Sequence, residues 1–165
     1  MNFKPIETDE NVLVMPGAVV CGDVTVGEGT AFWFNSVCRA ELQPIKIGKN
    51  TNIQENATIH VMHDHPTTIG EGVIIGHNAV IHSKSIGDHT LIGMGSIIMG
   101  NTVIGENVVI GAGTMIERDR KIPSNSLVYG NPAQIVRGLR DDEIEALQES
   151  SLRYRKVAEH YKEAA

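Results

Sequence analysis

Large rings are scarce in this chain: one Trp, three Tyr and three Phe among 165 residues. An ordinary core of this size uses more of them, so the interior has to be assembled from small branched side chains. Positive charge is also short, with 14 Lys and Arg against 20 Asp and Glu for a net charge of −6 at pH 7. That balance excludes nucleic acid and an anionic membrane as main partners, because both need a clustered cationic surface; a small molecule is expected instead. No stretch approaches the ~20 apolar residues of a membrane span, and Met1 to Asp9 has charges and no apolar run. Neither signal peptide nor anchor is therefore expected, and the location expected is cytoplasmic. The two cysteines, Cys21 and Cys38, fit no zinc-ribbon or CxxC spacing and are expected to stay reduced as packing residues.

What the chain does have is a period. An aliphatic or aromatic residue recurs every sixth position through Val14, Val20, Val26 and Phe32, then Ile47, Ile53 and Ile59, then Ile69, Ile75 and Ile81. After a slip of one residue it runs on through Ile86, Ile92, Ile98, Ile104, Ile110 and Ile116. A small or turn-forming residue often follows, as at Gly48, Gly76 and Gly93. An antiparallel sandwich would alternate with period two and turn every ~8–12 residues, which does not hold a phase of six. The pattern describes a coil of flat faces, ~18 residues per turn, with rungs stacked at the strand spacing of ~4.8 Å. This is a mainly β fold, a left-handed parallel β-helix of hexapeptide repeats, with about five or six rungs between Val12 and Ile116.

Insertions into a solenoid must leave as loops, and two are expected: Cys38 to Lys46 and Val61 to Thr68, the latter containing Pro66. The repeat is expected to end in Arg118–Ser126, with Gly130-Asn131-Pro132 turning the chain out of the coil. Ile144, Leu147, Tyr154, Ala158 and Tyr161 then recur at helical spacing, with Asp141 or Asp142 as N-cap. The organisation expected is a β-helix domain over 1–135 and a C-terminal amphipathic helix, over 136–165, packing on the coil.

Seven histidines occur, and the repeat separates them. His60 follows Ile59 and His82 follows Ile81, one full turn apart, so they stack on one face with the separation that two ligands of a tetrahedral metal need. His77 is second after Ile75 and belongs to the adjoining face. Threefold association would bring that face against the His60/His82 face of the next subunit, giving equivalent sites with two ligands from one chain and one from its neighbour. Three neutral imidazoles with an open position make a catalytic arrangement. The plainer alternative is scattered polar residues on a rigid scaffold. His63 and His65 read as solvated loop residues or as a proton relay; His89 and His160 read as surface residues.

The strings Val37-Cys38-Arg39-Ala40-Glu41, Thr51-Asn52-Ile53-Gln54-Glu55, Ile59-His60, Ile75-Gly76-His77, His82, Leu91-Ile92-Gly93-Met94-Gly95 and Gly130-Asn131-Pro132-Ala133 together resemble the γ-class carbonic anhydrase-like proteins over nearly the whole chain. The resemblance implies a homotrimer with zinc, or iron or cobalt, between subunits, ligated at His60, His77 and His82, and CO2 and bicarbonate as substrates. It also implies that Gln54 hydrogen-bonds the metal-bound hydroxide or the bicarbonate product. Arg39 would pair with an acidic residue and shape the intersubunit pocket, or form a plain interface salt bridge. Glu41 and Glu55 stand where many members have Asp, and each added methylene moves a carboxylate by more than an ångström, enough to disturb a site that relies on position. Three functions remain open: a metal-dependent lyase, a hexapeptide acyltransferase using acyl-CoA, and a trimeric metal-binding scaffold without turnover.

Overall fold

Most strands of the coil are only two residues long, too short to bury anything alone, and each gains its core by stacking on the strand one turn away. The computed structural model describes residues 7–8 and 11–164, with side chains from 11 to 161. Ile92 aligns with Ile75 below and Ile110 above, Ile98 with Ile81 and Ile116, and Ile104 with Ile86 and Ile122, all in parallel register. The result is a three-faced parallel β-solenoid of about six turns. One inward column runs Phe32, Ile53, Ile75, Ile92, Ile110, Val128, each 0% exposed. The corners are held by asparagines at 35, 50, 56, 78, 101, 107 and 125, with φ between +52° and +60°. Asn is one of the few residues that visits this left-handed region routinely, so the repeat reads aliphatic inside and Asn at the corner. Truncating one inward isoleucine leaves a cavity that neighbouring rungs cannot collapse into, so Ile98→Ala is expected to cost about 2–5 kcal/mol, read as a lower denaturation midpoint.

Several expectations are corrected. Cys38 to Lys46 is no loop: Val37–Ile47 is one 11-residue strand paired with Val19–Val26. Cys38, Ala40, Ile45 and Ile47 are buried, and the insertion is confined to residues 41–44, which lie between the aligned pairs Gly22/Ala40 and Val24/Ile45. The second excursion is shorter than expected, because Thr67–Ile69 is already strand and Val61 is buried. The repeat does not stop at Glu117: Ile122 and Val128 continue the inward positions. An antiparallel strand, Gln134–Gly138, then closes the sheet against Ser126–Tyr129. Val14, on the second strand, is 46% exposed. His89 is half-buried and takes a corner position at φ +51°.

The C-terminal helix α1 (Asp141–Ala164) lies against the coil through buried Leu147, Ser151 and Ala158. Arg155 Nη1 donates to Asn50 Oδ1 at 3.2 Å, and Tyr161 sits edge-on to Trp33 at 5.4 Å. Its N-cap is Arg140, not an aspartate. The Arg140 carbonyl accepts from Ile144 N–H, and Glu143 reaches back to accept from Arg140 N–H at 2.9 Å, half of a capping box. No helix among the described residues is long and apolar enough to cross a membrane.

Candidate metal centre

Side chains alternate across a strand, so a residue next to an inward isoleucine faces out. Arg39 aligns with His60, and Ile59 with Ile81, which places His82 on the next rung; Arg39, His60 and His82 thus form one outward column. The neighbouring outward column on the same face is apolar. It runs Val19, Val37, Thr58, Val80, Ile97, Met115 in register, with Val19, Val80 and Ile97 between 36% and 49% exposed.

The expected stacking of His60 on His82 is present. Their ring centroids are 4.9 Å apart at 75°, and His60 Nδ1 lies 3.3 Å from His82 Nε2. The other nitrogen of each ring is engaged: His60 Nε2 is 2.9 Å from Glu41 Oε1, and His82 Nδ1 is 3.5 Å from Met62 Sδ. Placing the ring hydrogens toward these acceptors leaves two lone pairs facing each other across the 3.3 Å gap. That separation is the N–N edge of a tetrahedron with metal–nitrogen bonds of about 2.0–2.1 Å. The donor set therefore fits a zinc-like ion. Burial first, then the charges of His60, Arg39 and Arg118, hold the His82 imidazole below its usual range, in the neutral form that ligates.

Glu41 is the anchor of this column. Burial raises its carboxyl, but hydrogen bonds from the His60 ring and its own backbone, with the charges of His60 and Arg39, outweigh burial and leave it below the usual carboxylate range. Oε1 accepts from both Arg39 and His60, while Oε2 is buried without a partner among the described residues.

His77 sits apart, at the corner of the adjoining face, with its side chain 43% exposed. Its Nδ1 is 2.8 Å from Glu55 Oε2, and its backbone N–H donates to the buried Gln54 side chain, Oε1, at 3.2 Å. Among the described residues no group of three His, Cys, Asp or Glu converges within one chain. The structure thus brings together Arg39, Glu41, His60 and His82 on one face and Gln54, Glu55 and His77 on another corner. Sequence reasoning missed Met62; its place two residues after the strand end at His60 was the available signal.

The remaining candidates lie outside both groups. His63 is exposed, and its carbonyl accepts from Gln43 Nε2 at 3.2 Å; His65 Nδ1 is 3.2 Å from the Pro66 carbonyl. Cys38 is buried, which pushes its thiol far up, and Cys21 is half-buried; both are free. A cavity of 370 Å³ between the coil and α1 is lined by Gln54, His77, Tyr129 and Tyr154 among others.

Models of the bacterial transferase hexapeptide (six repeats) and the hexapeptide repeat of succinyl-transferase match residues 83–118 and 44–83. A probable carbonic anhydrase of Methanocaldococcus jannaschii is 44% identical, covering 91% of this chain and 94% of that one. The carbonic anhydrase of Geobacillus kaustophilus is 41% identical, covering 87% and 79%. The mitochondrial gamma carbonic anhydrase 1 of Arabidopsis thaliana is 36% identical over 92% of this chain, which spans only 57% of that relative's length. Among solved structures, a hexapeptide transferase family protein from Anaplasma phagocytophilum superposes with TM-score 0.88 at 32% identity, covering 94% of this chain and 92% of that one. A putative acetyltransferase from Bacillus cereus gives 0.83 at 33%, covering 98% and 94%. With its six-residue coil, its stacked histidines and relatives of this identity across nearly its full length, the chain belongs to the γ-class carbonic anhydrase family of hexapeptide-repeat proteins.

Proposed function

We propose that three copies of the chain close about a threefold axis and that His60 and His82 of one subunit, with His77 of the next, hold a zinc ion (or iron or cobalt) for the reversible hydration of CO2 to bicarbonate. The observation that carries this reading is the 3.3 Å approach of His60 Nδ1 to His82 Nε2 while their other nitrogens are tied to Glu41 and Met62. Two lone pairs at that distance repel unless a cation lies between them. The apolar column of Val19, Val80 and Ile97 beside them supports closure by like subunits, since exposed contiguous apolar surface marks an interface. A divalent ion in this position would lower the pKa of coordinated water to about 7 and so supply a nucleophile at neutral pH.

The chain's own residues supply orientation. Gln54 Oε1 is occupied by the backbone N–H of His77, so what the side chain offers the substrate is its NH2 group. A neutral donor there directs an oxygen of the reacting species without removing its charge. Arg39, 48% exposed and paired with Glu41, helps hold that carboxylate against His60.

The test is zinc titration of the purified protein, followed by stopped-flow CO2 hydration. One ion per subunit and hydration lost on chelation are expected; no zinc uptake would end the reading. Ligation requires neutral imidazoles, so zinc affinity is expected to fall as pH drops below about 6.5. The part of that fall due to His82 should come at lower pH than for an ordinary imidazole, which competition titrations with a chelator at a series of pH values can check.

A second reading has its own support. The cavity beside Gln54 and His77, and two superposing structures described as transferases, fit a hexapeptide acyltransferase. Saturable binding of acetyl-CoA by calorimetry would favour it; zinc bound tightly with neither hydration nor acetyl-CoA binding would leave a trimeric scaffold.

A further inference from the structure

We infer that Glu41 and Glu55 are positioning residues that select which ring nitrogen His60 and His77 turn to the metal: Nδ1 for His60 and Nε2 for His77. The inference rests on the proposed metal site and goes beyond it, because the ligand atoms, and not only the ligand residues, follow from the carboxylates. A neutral imidazole has one N–H and one lone pair, and the hydrogen goes to whichever nitrogen faces the better acceptor. For His60 that acceptor is Glu41 Oε1, 2.9 Å from Nε2, so the lone pair is left on Nδ1, the nitrogen 3.3 Å from His82. For His77 it is Glu55 Oε2, 2.8 Å from Nδ1, which leaves Nε2 free at the exposed corner. A carboxylate on the far nitrogen also raises the basicity of the ligating one.

Reach explains why both are glutamates. Glu41 begins the insertion 41–44 that follows the aligned pair Gly22/Ala40, and its side chain crosses to the next rung to meet His60, 19 residues on. Shortening it to aspartate withdraws the carboxylate by about one carbon–carbon bond, ~1.5 Å, past hydrogen-bond reach. Arg39 holds the same oxygen from the other side, and Gln54 holds the backbone of His77 beside Glu55. The added methylenes, which looked like a disturbance in the sequence, are what bring each carboxylate to an imidazole.

The experiment uses the full-length protein with 15N-labelled histidine, and long-range 1H–15N spectra that report which nitrogen carries hydrogen and which binds zinc. In the wild type, His60 is expected to carry its hydrogen on Nε2 and His77 on Nδ1. In Glu41→Ala, His60 should lose this single tautomer, and zinc affinity should fall about 10–100-fold. Glu41→Asp should behave like Glu41→Ala, whereas Glu41→Gln, whose amide oxygen still accepts, should keep the tautomer and most of the affinity. Glu55→Ala gives an independent readout at His77 should Glu41→Ala fold poorly. Zinc ligation by His60 Nε2 in the wild type, or unchanged tautomers and affinity in both alanine variants, would overturn the inference while leaving the metal site standing. A wild type that takes up no zinc would instead overturn the site itself.

Discussion

His77→Ala is expected to reduce zinc from about one ion per subunit to a small fraction, and to bring CO2 hydration to the uncatalysed rate, with fold and assembly intact. The side chain is 43% exposed and contributes nothing to the isoleucine column, so its loss opens no cavity. What it removes is one of the three imidazoles of the proposed site, and with it the open tetrahedral arrangement on which water activation depends. Because His77 lies on a different face from His60 and His82, a site built within one chain would lose nothing by this change. Metal analysis beside circular dichroism and light scattering separates the two cases. Zinc retained at wild-type stoichiometry would remove His77 from the site.

The second large effect is expected on the apolar column. Ile97→Glu places a carboxylate on an outward position that is 43% exposed in the single chain, so the subunit should fold normally. At a closed interface the same charge is buried without a partner, at a cost of about 3–5 kcal/mol. That weakens association by more than about a hundredfold. Monomers are the expected product in sedimentation at micromolar concentration, and zinc should be lost with the trimer although all three histidines remain. A variant that stays trimeric and keeps its metal would show that this face is not the contact.

Much of this was legible in the sequence, for a physical reason: a solenoid repeats its environment every turn, so the inward isoleucines and the face shared by His60 and His82 can be counted off without coordinates. The count failed where local chemistry hid the period. Ile122 and Val128 keep the six-residue step from Ile116 and are buried, but Arg118, Arg120 and Pro123 around them read as an exit from the coil. The segment from Cys38 to Lys46 looks like a loop because Cys38, six residues after Phe32, is not aliphatic and Ile45 and Ile47 fall out of phase; it is a strand that carries Cys38, Ala40, Ile45 and Ile47 inward. Asparagine at the corners was the unread signal, since eight asparagines adopt the left-handed conformation. The partners of the histidines were not legible at all. Glu41 meets His60 across 19 residues of chain, and Met62 meets His82 across 20. Both meetings depend on how two insertions leave the coil, which no periodicity encodes.

Mixing two defective proteins tests most directly whether the metal lies between chains. His77→Ala subunits keep His60 and His82, and a His60→Ala/His82→Ala protein keeps His77; neither alone should bind zinc. Unfolded together at equal amounts and refolded, they should recover about a quarter of the wild-type zinc, the fraction of random cyclic contacts that pair a good half-site with its complement. Re-formed trimers that stay free of zinc would contradict a metal shared between neighbouring subunits.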